Sequence, residues 1–262
     1  MLLYLEFASI SFVVFAISRL IPLYCCNIKE SQKHVYVRIG EEVTILLYGL
    51  FVVFYLFNFF IDYNFLLDGY LDKNVGDAYD EFIQSLEPFL LWNLWYFTML
   101  FCISFYPPVK EGDFYELIAH HVTTVALISA AFYCSWLGVS VWVILINAIF
   151  DIFLSLSRIA YKLDHWSQVP LFGIAIITHF ILRVQLFPFK ILLTILHTPH
   201  IEGSVLFYPP FLFTVPLWLL YLYWGWCMLR VCYLRLWKGK YDVDYSDGEQ
   251  KPSIGQKTKK EK

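Results

Sequence analysis

Two adjacent histidines, His120 and His121, lie inside an apolar stretch of the chain, and a carboxylate, Asp151, lies inside the next one. Ionisable side chains are costly in hydrocarbon, so each of them is a candidate for function. A carboxylate that orients a histidine and raises its basicity is a common way to build a general base. These residues therefore predict a site of proton transfer in an apolar environment.

The apolar stretches also contain other polar residues, namely Asn58, Asn93, Asn147, His179 and Arg183. Asn147 shares a helix face with Asp151, four residues further on. Arg183 lies one turn from His179 and either binds a substrate or locks helices together. The histidine pair also has a structural interpretation, because a buried imidazole often only bonds a carbonyl group. Adjacent side chains point about 100° apart on a helix, so one histidine can be catalytic and the other structural.

Membrane-spanning helices must position these side chains. Of the 262 residues, 59% are hydrophobic and 20% are aromatic, and the mean hydropathy is +0.60. Apolar stretches of about 20 residues, the length that crosses about 30 Å of hydrocarbon, recur along the chain. We predict an all-α integral membrane protein with seven spans, at about 2–24, 43–62, 86–106, 115–136, 139–161, 168–193 and 205–236.

The predicted organisation follows from these spans. It consists of an N-terminal transmembrane helix over 1–24, a cytosolic loop over 25–42, a six-helix bundle over 43–237 and a disordered cytosolic tail over 238–262. The first span is interpreted as a retained helix, because no basic segment precedes it and no small-residue cleavage site follows it.

Lys and Arg residues concentrate in alternate loops, which predicts a lumenal N-terminus and a cytosolic C-terminus. At 1.5 Å per residue, His120 and His121 then lie about 10–12 Å from the cytosolic end of their span, and Asp151 lies about 10 Å from the same side. The two spans are joined by a short turn and must be antiparallel neighbours. We therefore expect the histidine pair and the carboxylate to be within contact distance.

The basic C-terminal end has two interpretations. Lys259 and Lys260 have the spacing of a dilysine signal for retrieval to the endoplasmic reticulum, which requires a cytosolic tail. Alternatively, the tail is a solvated basic segment near anionic lipid.

Metal chemistry is not predicted. Membrane di-iron enzymes need many histidines, whereas this chain has 7, several of them in loops. The sequence contains no phosphate-binding or dinucleotide-binding glycine motif and no nucleophile elbow. We expect no metal and no bound cofactor.

The segment "DFYELIAHHVTTVALISAAFYCSWLGVSVWVILINAIFDIFLSLSRIAYKL" resembles the longevity-assurance motif of ceramide synthases, a family within the TLC-domain superfamily. The residues in register with the motif are Asp113, Phe114, His120, His121, Gly138, Asp151, Leu154 and Arg158. The resemblance covers roughly residues 90 to 237, including the segment from Arg183 to Phe189. The resemblance thus implies that the predicted bundle, 43–237, is a TLC-like domain and that the chain is a divergent member of the ceramide synthase family.

The resemblance implies a sphingoid base N-acyltransferase, which joins the acyl group of a fatty acyl-CoA to sphinganine or sphingosine and forms a (dihydro)ceramide. It implies His121 as base or acyl acceptor, His120 as its partner and Asp151 as the group that orients the pair. Substrate binding is expected at Asn147, Arg183, Lys110 and Arg158, with acyl-CoA as co-substrate. The resemblance also implies a location in the endoplasmic reticulum membrane. A homodimer or heterodimer is possible, and no nucleic-acid partner is expected.

The chain departs from the motif at one point. Where the family has His-Asp, this chain has Asn147 and Ala148. Asparagine can still form hydrogen bonds but cannot titrate near neutral pH, and alanine can do neither. Two alternatives therefore stay open: a catalytically inactive protein that binds or regulates lipid, and a translocon-associated protein, for which the histidine pair has no evident use.

Overall fold

This computed structural model describes residues 30–63, 77–104, 114–133, 137–193 and 209–238, and within them the chain forms helices without any strand. The helices are α1 (Glu30–Tyr63), α2 (Asp77–Ser104), α3 (Phe114–Tyr133), α4 (Leu137–Lys162), α5 (Gln168–Leu192) and α6 (Pro209–Lys238). The predicted all-α class is confirmed, and each predicted span from the second to the seventh contains a helix. The first predicted span, 2–24, lies outside the described residues, so a total of seven stays a prediction.

Four helices in the described part of the chain are long and apolar enough to cross a membrane. These spans are Val35–Phe57, Ser140–Lys162, Gln168–Leu192 and Phe211–Leu234. The span in α4 is 67% buried within the protein, whereas the other three are 17–33% buried. α4 is therefore the central helix, and the others present much of their apolar surface outward, as lipid-facing helices do.

Part of the segment predicted as a cytosolic loop, 25–42, is helical, because α1 begins at Glu30, and its cytosolic position stays a prediction. Its charged residues pair rather than break the helix. Arg38 donates to Glu41 at 3.1 Å, one turn away, and Glu42 accepts from Arg158 of α4 at 3.2 Å. Ion pairs of this kind stabilise helical turns beyond the apolar stretch from which the helix was predicted.

Gly49 allows α1 to approach α4 closely. A Cβ atom at this position would lie 2.9 Å from Cγ1 of Ile152 and 3.1 Å from the carbonyl oxygen of Ala148. Both distances are shorter than ordinary van der Waals contact. Small residues at such crossings let membrane helices pack backbone to backbone.

The reversal between α4 and α5 is fixed by a left-handed residue, Asp164, whose φ is 52°. The N–H of His165 bonds to the carbonyl of Ala160, and the N–H of Asp164 bonds to that of Tyr161. This pair of bonds is a Schellman motif, which satisfies the last carbonyls of a helix. The tight reversal makes α4 and α5 antiparallel neighbours.

α5 changes to wide π-helical turns at His179 and keeps them through most of its second half. The N–H of Phe187 bonds to the carbonyl of Leu182, five residues back. Pro188 lacks an N–H and cannot continue the ordinary ladder of bonds. The wide turns carry two buried polar residues, His179 and Arg183, and π segments of this kind are frequent at functional sites.

One hydrophobic core joins all six helices. Its fully buried side chains include Val52, Leu56, Leu86, Leu90, Leu127, Ile128, Ile144, Ile146, Phe187, Ile191, Leu217 and Tyr221. α3 contacts α2, α4 and α6, while α5 contacts α4 and α6. The histidines on α3 and the polar residues on α4 and α5 therefore face a shared interior that α6 helps to close.

Candidate functional site

Asn147 is the centre of a buried hydrogen-bond network that joins α4, α5 and α6. Its Oδ1 atom accepts from Nη2 of Arg183 at 2.6 Å and from the hydroxyl of Tyr221 at 2.8 Å. Its Nδ2 atom donates to the carbonyl of Val143 at 2.8 Å. A guanidinium and a carbonyl impose this orientation of the amide, because the first can only donate and the second can only accept.

Asp151 forms an ion pair with Arg183. The same Nη2 atom that reaches Asn147 lies 2.9 Å from Oδ1 of Asp151, and the two side chains are 3% and 28% exposed for Arg183 and Asp151, respectively. Asn147 and Asp151 therefore do share one helix face, as their spacing predicts. An arginine this deeply buried in a membrane protein needs a partner of this kind.

Aromatic rings complete the surroundings of Arg183. Its guanidinium carbon lies 3.8 Å from the ring centroid of Phe150 and 4.9 Å from that of Tyr221. Cation–π contacts of this kind stabilise a desolvated guanidinium. Of the two roles expected for Arg183, these contacts match the one that locks helices together.

The histidine pair is buried beside this network. His120 and His121 are each 6% exposed, and their ring centroids are 5.5 Å apart. The ring of His120 lies 5.1 Å from Trp224 and 6.3 Å from Tyr221. Within the described ranges, the Nδ1 atom of each histidine has no hydrogen-bond partner. A buried imidazole that supports the fold usually bonds a neighbour through one of its ring nitrogens, as His179 does through Nε2.

The expected contact between Asp151 and the histidines is replaced by a more indirect arrangement. Asp151 bonds to Arg183, and no described hydrogen bond joins it to either imidazole. The link runs through several side chains. The ring of Tyr221 lies 6.3 Å from that of His120, and its hydroxyl bonds to Asn147. Asn147 in turn shares Arg183 with Asp151.

His179 has a structural contact. Its Nε2 atom lies 2.9 Å from the carbonyl oxygen of Tyr221, so Nε2 carries the proton and donates it. Gly225 makes this approach possible, since a Cβ atom there would lie 3.2 Å from Nε2 of His179. The bond fastens α5 to α6 next to the network.

The two basic residues predicted at the membrane surface have different outcomes. Lys110 lies outside the described residues. Arg158 forms its ion pair with Glu42 and so joins α4 to α1. Across the described ranges, no group of three His, Cys, Asp or Glu side chains is close enough together to hold a metal ion.

Sequence reasoning missed Tyr221 and Trp224, which border the histidine pair. Both lie in the aromatic run "YLYWGW" of α6. The chain is 20% aromatic, so residue type gave no signal that separated these two rings from lipid-facing ones.

Ala148 occupies the second position at which the chain departs from the resembled motif. Its side chain is 1% exposed and belongs to the hydrophobic core. Together with the hydrogen-bonded amide of Asn147, it gives this turn of α4 a packing role in place of two titratable groups.

Comparison with known proteins identifies a domain family and several relatives that share a name. A family profile described as the TLC domain matches residues 38–230. The chain is 30% identical over 188 residues to ceramide synthase 4 of Bos taurus, which covers 63% of this chain and 46% of that protein. It is 29% identical over 157 residues to ceramide synthase 3 of Homo sapiens, covering 56% of this chain and 40% of that protein.

A plant relative is more distant. Ceramide synthase LOH2 of Arabidopsis thaliana is 24% identical over 142 residues, which covers 51% of this chain and 48% of the relative. The chain thus spans about half the length of the curated relatives it matches.

Proposed function

Because this chain belongs to the TLC-domain family, we propose that it is a sphingoid base N-acyltransferase, which transfers the acyl group of a fatty acyl-CoA to the amine of a long-chain base. The relatives named ceramide synthases support this reaction. The observation that carries the proposal is the buried pair His120 and His121, whose Nδ1 atoms have no partner in the described part of the chain.

The proposed reaction needs a group that accepts a proton. The amine of the base is an ammonium in water and must lose a proton before its nitrogen can attack the thioester carbon. His121 is the proposed acceptor. The C–N bond then forms and the C–S bond breaks. The nitrogen loses a second proton, which the CoA thiolate takes up, and His121 releases the first proton to solvent, so that an amide and free CoA result.

A covalent order of events uses the same residue. His121 attacks the thioester first, CoA leaves as the thiol, and the amine then displaces the imidazole from the acyl group. His120 is the proposed partner of His121 in either order. An experiment without the amine separates the two orders. The enzyme is incubated with labelled acyl-CoA alone and then denatured, and only the covalent order leaves a labelled acyl group on the protein.

Asp151 is the proposed positioning residue. Its ion pair with Arg183 holds a carboxylate on the face of α4 that borders Tyr221, and its side chain is 28% exposed. A partly exposed carboxylate can approach an imidazole or the substrate ammonium once substrate enters. Asn147 and Arg183 contribute by holding this face in place.

The phosphates of CoA are the proposed ligands of Lys110 and Arg158 at the cytosolic end of the bundle. A guanidinium binds phosphate well because its N–H groups match the phosphate oxygens. Arg158 would have to exchange its contact with Glu42 for this purpose. The endoplasmic reticulum membrane, the lumenal N-terminus and a dimeric state belong to the same proposal.

A catalytically inactive lipid-binding protein is the second candidate. The observation that favours it is the turn with Asn147 and Ala148, in which the amide makes three hydrogen bonds and the methyl group is in the core. On this candidate the histidine pair would bind a lipid headgroup without reaction.

Acyl transfer in membranes of a host that lacks its own ceramide synthases tests the proposal. Sphinganine is supplied with acyl-CoAs of graded chain length, and wild type is compared with His121→Ala and with His165→Ala. His165 is an exposed histidine in the turn after α4 and serves as the matched control. Activity that His121→Ala removes and His165→Ala retains supports the enzyme. Inactivity of well-folded wild type at every chain length supports the second candidate.

A further inference from the structure

Trp224 on α6 is buried, with 9% of its surface exposed, and its Nε1 atom has no hydrogen-bond partner among the described residues. An indole N–H can only donate. A buried donor without an acceptor is unfavourable, so native proteins leave few of them. A ligand that brings an acceptor would satisfy it.

The position of Trp224 points to a particular ligand atom. Its ring packs edge-on against His120 at 5.1 Å, with an interplanar angle of 66°. The indole is therefore next to the histidine pair, where the acyl carbonyl must lie if His121 acts on it. Of the two groups that react, the ammonium only donates, and the carbonyl oxygen only accepts.

Other tryptophans of α6 serve as a contrast. Trp218 donates from Nε1 to the carbonyl of Val184 at 3.4 Å, which is a bond between helices. Trp226 is 66% exposed and faces outward. Neither combines burial, an unpartnered N–H and contact with a histidine of the pair.

We propose that the Nε1–H of Trp224 donates a hydrogen bond to the acyl carbonyl oxygen of the thioester and to the oxyanion that forms from it, an inference that rests on the proposed N-acyltransferase function. Attack on the carbonyl carbon moves an electron pair onto this oxygen. The pair returns to the carbonyl when the C–S bond breaks and the thiolate leaves. A fixed donor at this oxygen stabilises the transition state more than the ground state.

Trp224→Phe in the full-length protein tests the contact, because phenylalanine keeps a ring beside His120 and removes the N–H. We expect kcat to fall about 100-fold, the typical effect of removing one oxyanion donor, with little change in KM for either substrate. The matched control is Trp226→Phe on the outer face of the same helix, for which we expect unchanged kinetics. An equal kcat for wild type and Trp224→Phe would overturn the proposal.

A binding experiment gives a readout that does not depend on turnover. The probes are two stable CoA analogues: a ketone in which a methylene replaces the thioester sulfur, and a thioether that lacks the carbonyl group. We expect Trp224→Phe to weaken binding of the ketone about tenfold and to leave binding of the thioether unchanged. Equal weakening of both would show that Trp224 only packs against the acyl chain, and would overturn the proposal.

The two proposals fail in distinguishable ways. A wild-type protein that transfers no acyl group, yet binds the ketone through Trp224, contradicts the acyltransferase and retains the carbonyl contact. An active wild type with an unaffected Trp224→Phe variant contradicts only the role of Trp224. If Trp224→Phe does not yield folded protein, Trp224→Leu is the second variant without an N–H, with the same expected difference between the probes.

Discussion

Nη2 of Arg183 lies 2.9 Å from Oδ1 of Asp151, so the carboxylate expected to orient a histidine is held by a buried arginine of the neighbouring helix. The same nitrogen reaches Asn147 at 2.6 Å. A single guanidinium therefore holds both Asn147 and Asp151 on one face of α4. Asp151 is positioned by this arginine and not by a bond to the histidine pair. This relationship leads to the first prediction.

Arg183→Ala should lower the free energy of unfolding by about 3–5 kcal/mol, because it leaves a largely buried carboxylate and the amide of Asn147 without their donor. Arg158→Ala is the comparison: it breaks the ion pair with Glu42, whose side chains are 24% and 10% exposed for Arg158 and Glu42, and it should destabilise the protein less, because Arg158 is more exposed than Arg183. Thermal unfolding in detergent measures both. Equal destabilisation by the two variants would contradict the central position of Arg183.

His121→Ala should reduce acyl transfer by about 100-fold or more while it lowers the melting temperature less than His179→Ala does. The physical reason is that Nδ1 of His121 has no partner in the described part of the chain, so the substitution breaks no bond through that atom. His179→Ala is the comparison, because it removes the bond to the carbonyl of Tyr221 and should destabilise the protein by about 1–3 kcal/mol. If His121→Ala instead unfolds the protein, the histidine is structural.

Restoring the family residues with Asn147→His and Ala148→Asp should not increase activity. Asp at position 148 would place a carboxylate in the hydrophobic core, where Ala148 is 1% exposed, and such burial without a partner is strongly unfavourable. The double variant should unfold at a lower temperature than wild type. Ala148→Ser is the milder control at the same site, and its loss of stability should be smaller. A stable and more active double variant would indicate that the packing around Ala148 can rearrange.

Gly49→Ala should destabilise the protein by about 1–3 kcal/mol, because the added methyl group would press on Ile152 and on the backbone of α4. Gly173→Ala on α5 is the matched control, since a Cβ atom there would meet nothing within 4 Å. It should stabilise its helix by about 0.5–1 kcal/mol. Melting curves of the two variants should therefore move in opposite directions, and a shift of both in the same direction would contradict the close crossing of α1 and α4.

Helix positions were largely predictable, whereas helix ends and local geometry were not. Apolar length alone predicted the spans at 139–161 and 168–193, which lie within one residue of Leu137–Lys162 and Gln168–Leu192 at most ends. The start of α1 at Glu30 was missed, because ion pairs such as that of Arg158 with Glu42 depend on a helix distant in the chain. The wide turns from His179 were also missed, since no residue count signals a change of helical pitch.

For the candidate site, too, the residue types were predictable from the sequence and the contacts between helices were not. The sequence by itself determined a membrane-embedded helical protein and the polar residues His120, His121, Asn147, Asp151 and Arg183, because polar groups in apolar stretches stand out by type. Only the tertiary structure decided that Arg183 is the partner of Asp151, and that Tyr221 and Trp224 border the histidine pair. Burial energetics select residue types along a chain, but hydrogen bonds between helices are short-ranged and depend on how each helix is rotated about its axis, which is set by packing against all of its neighbours.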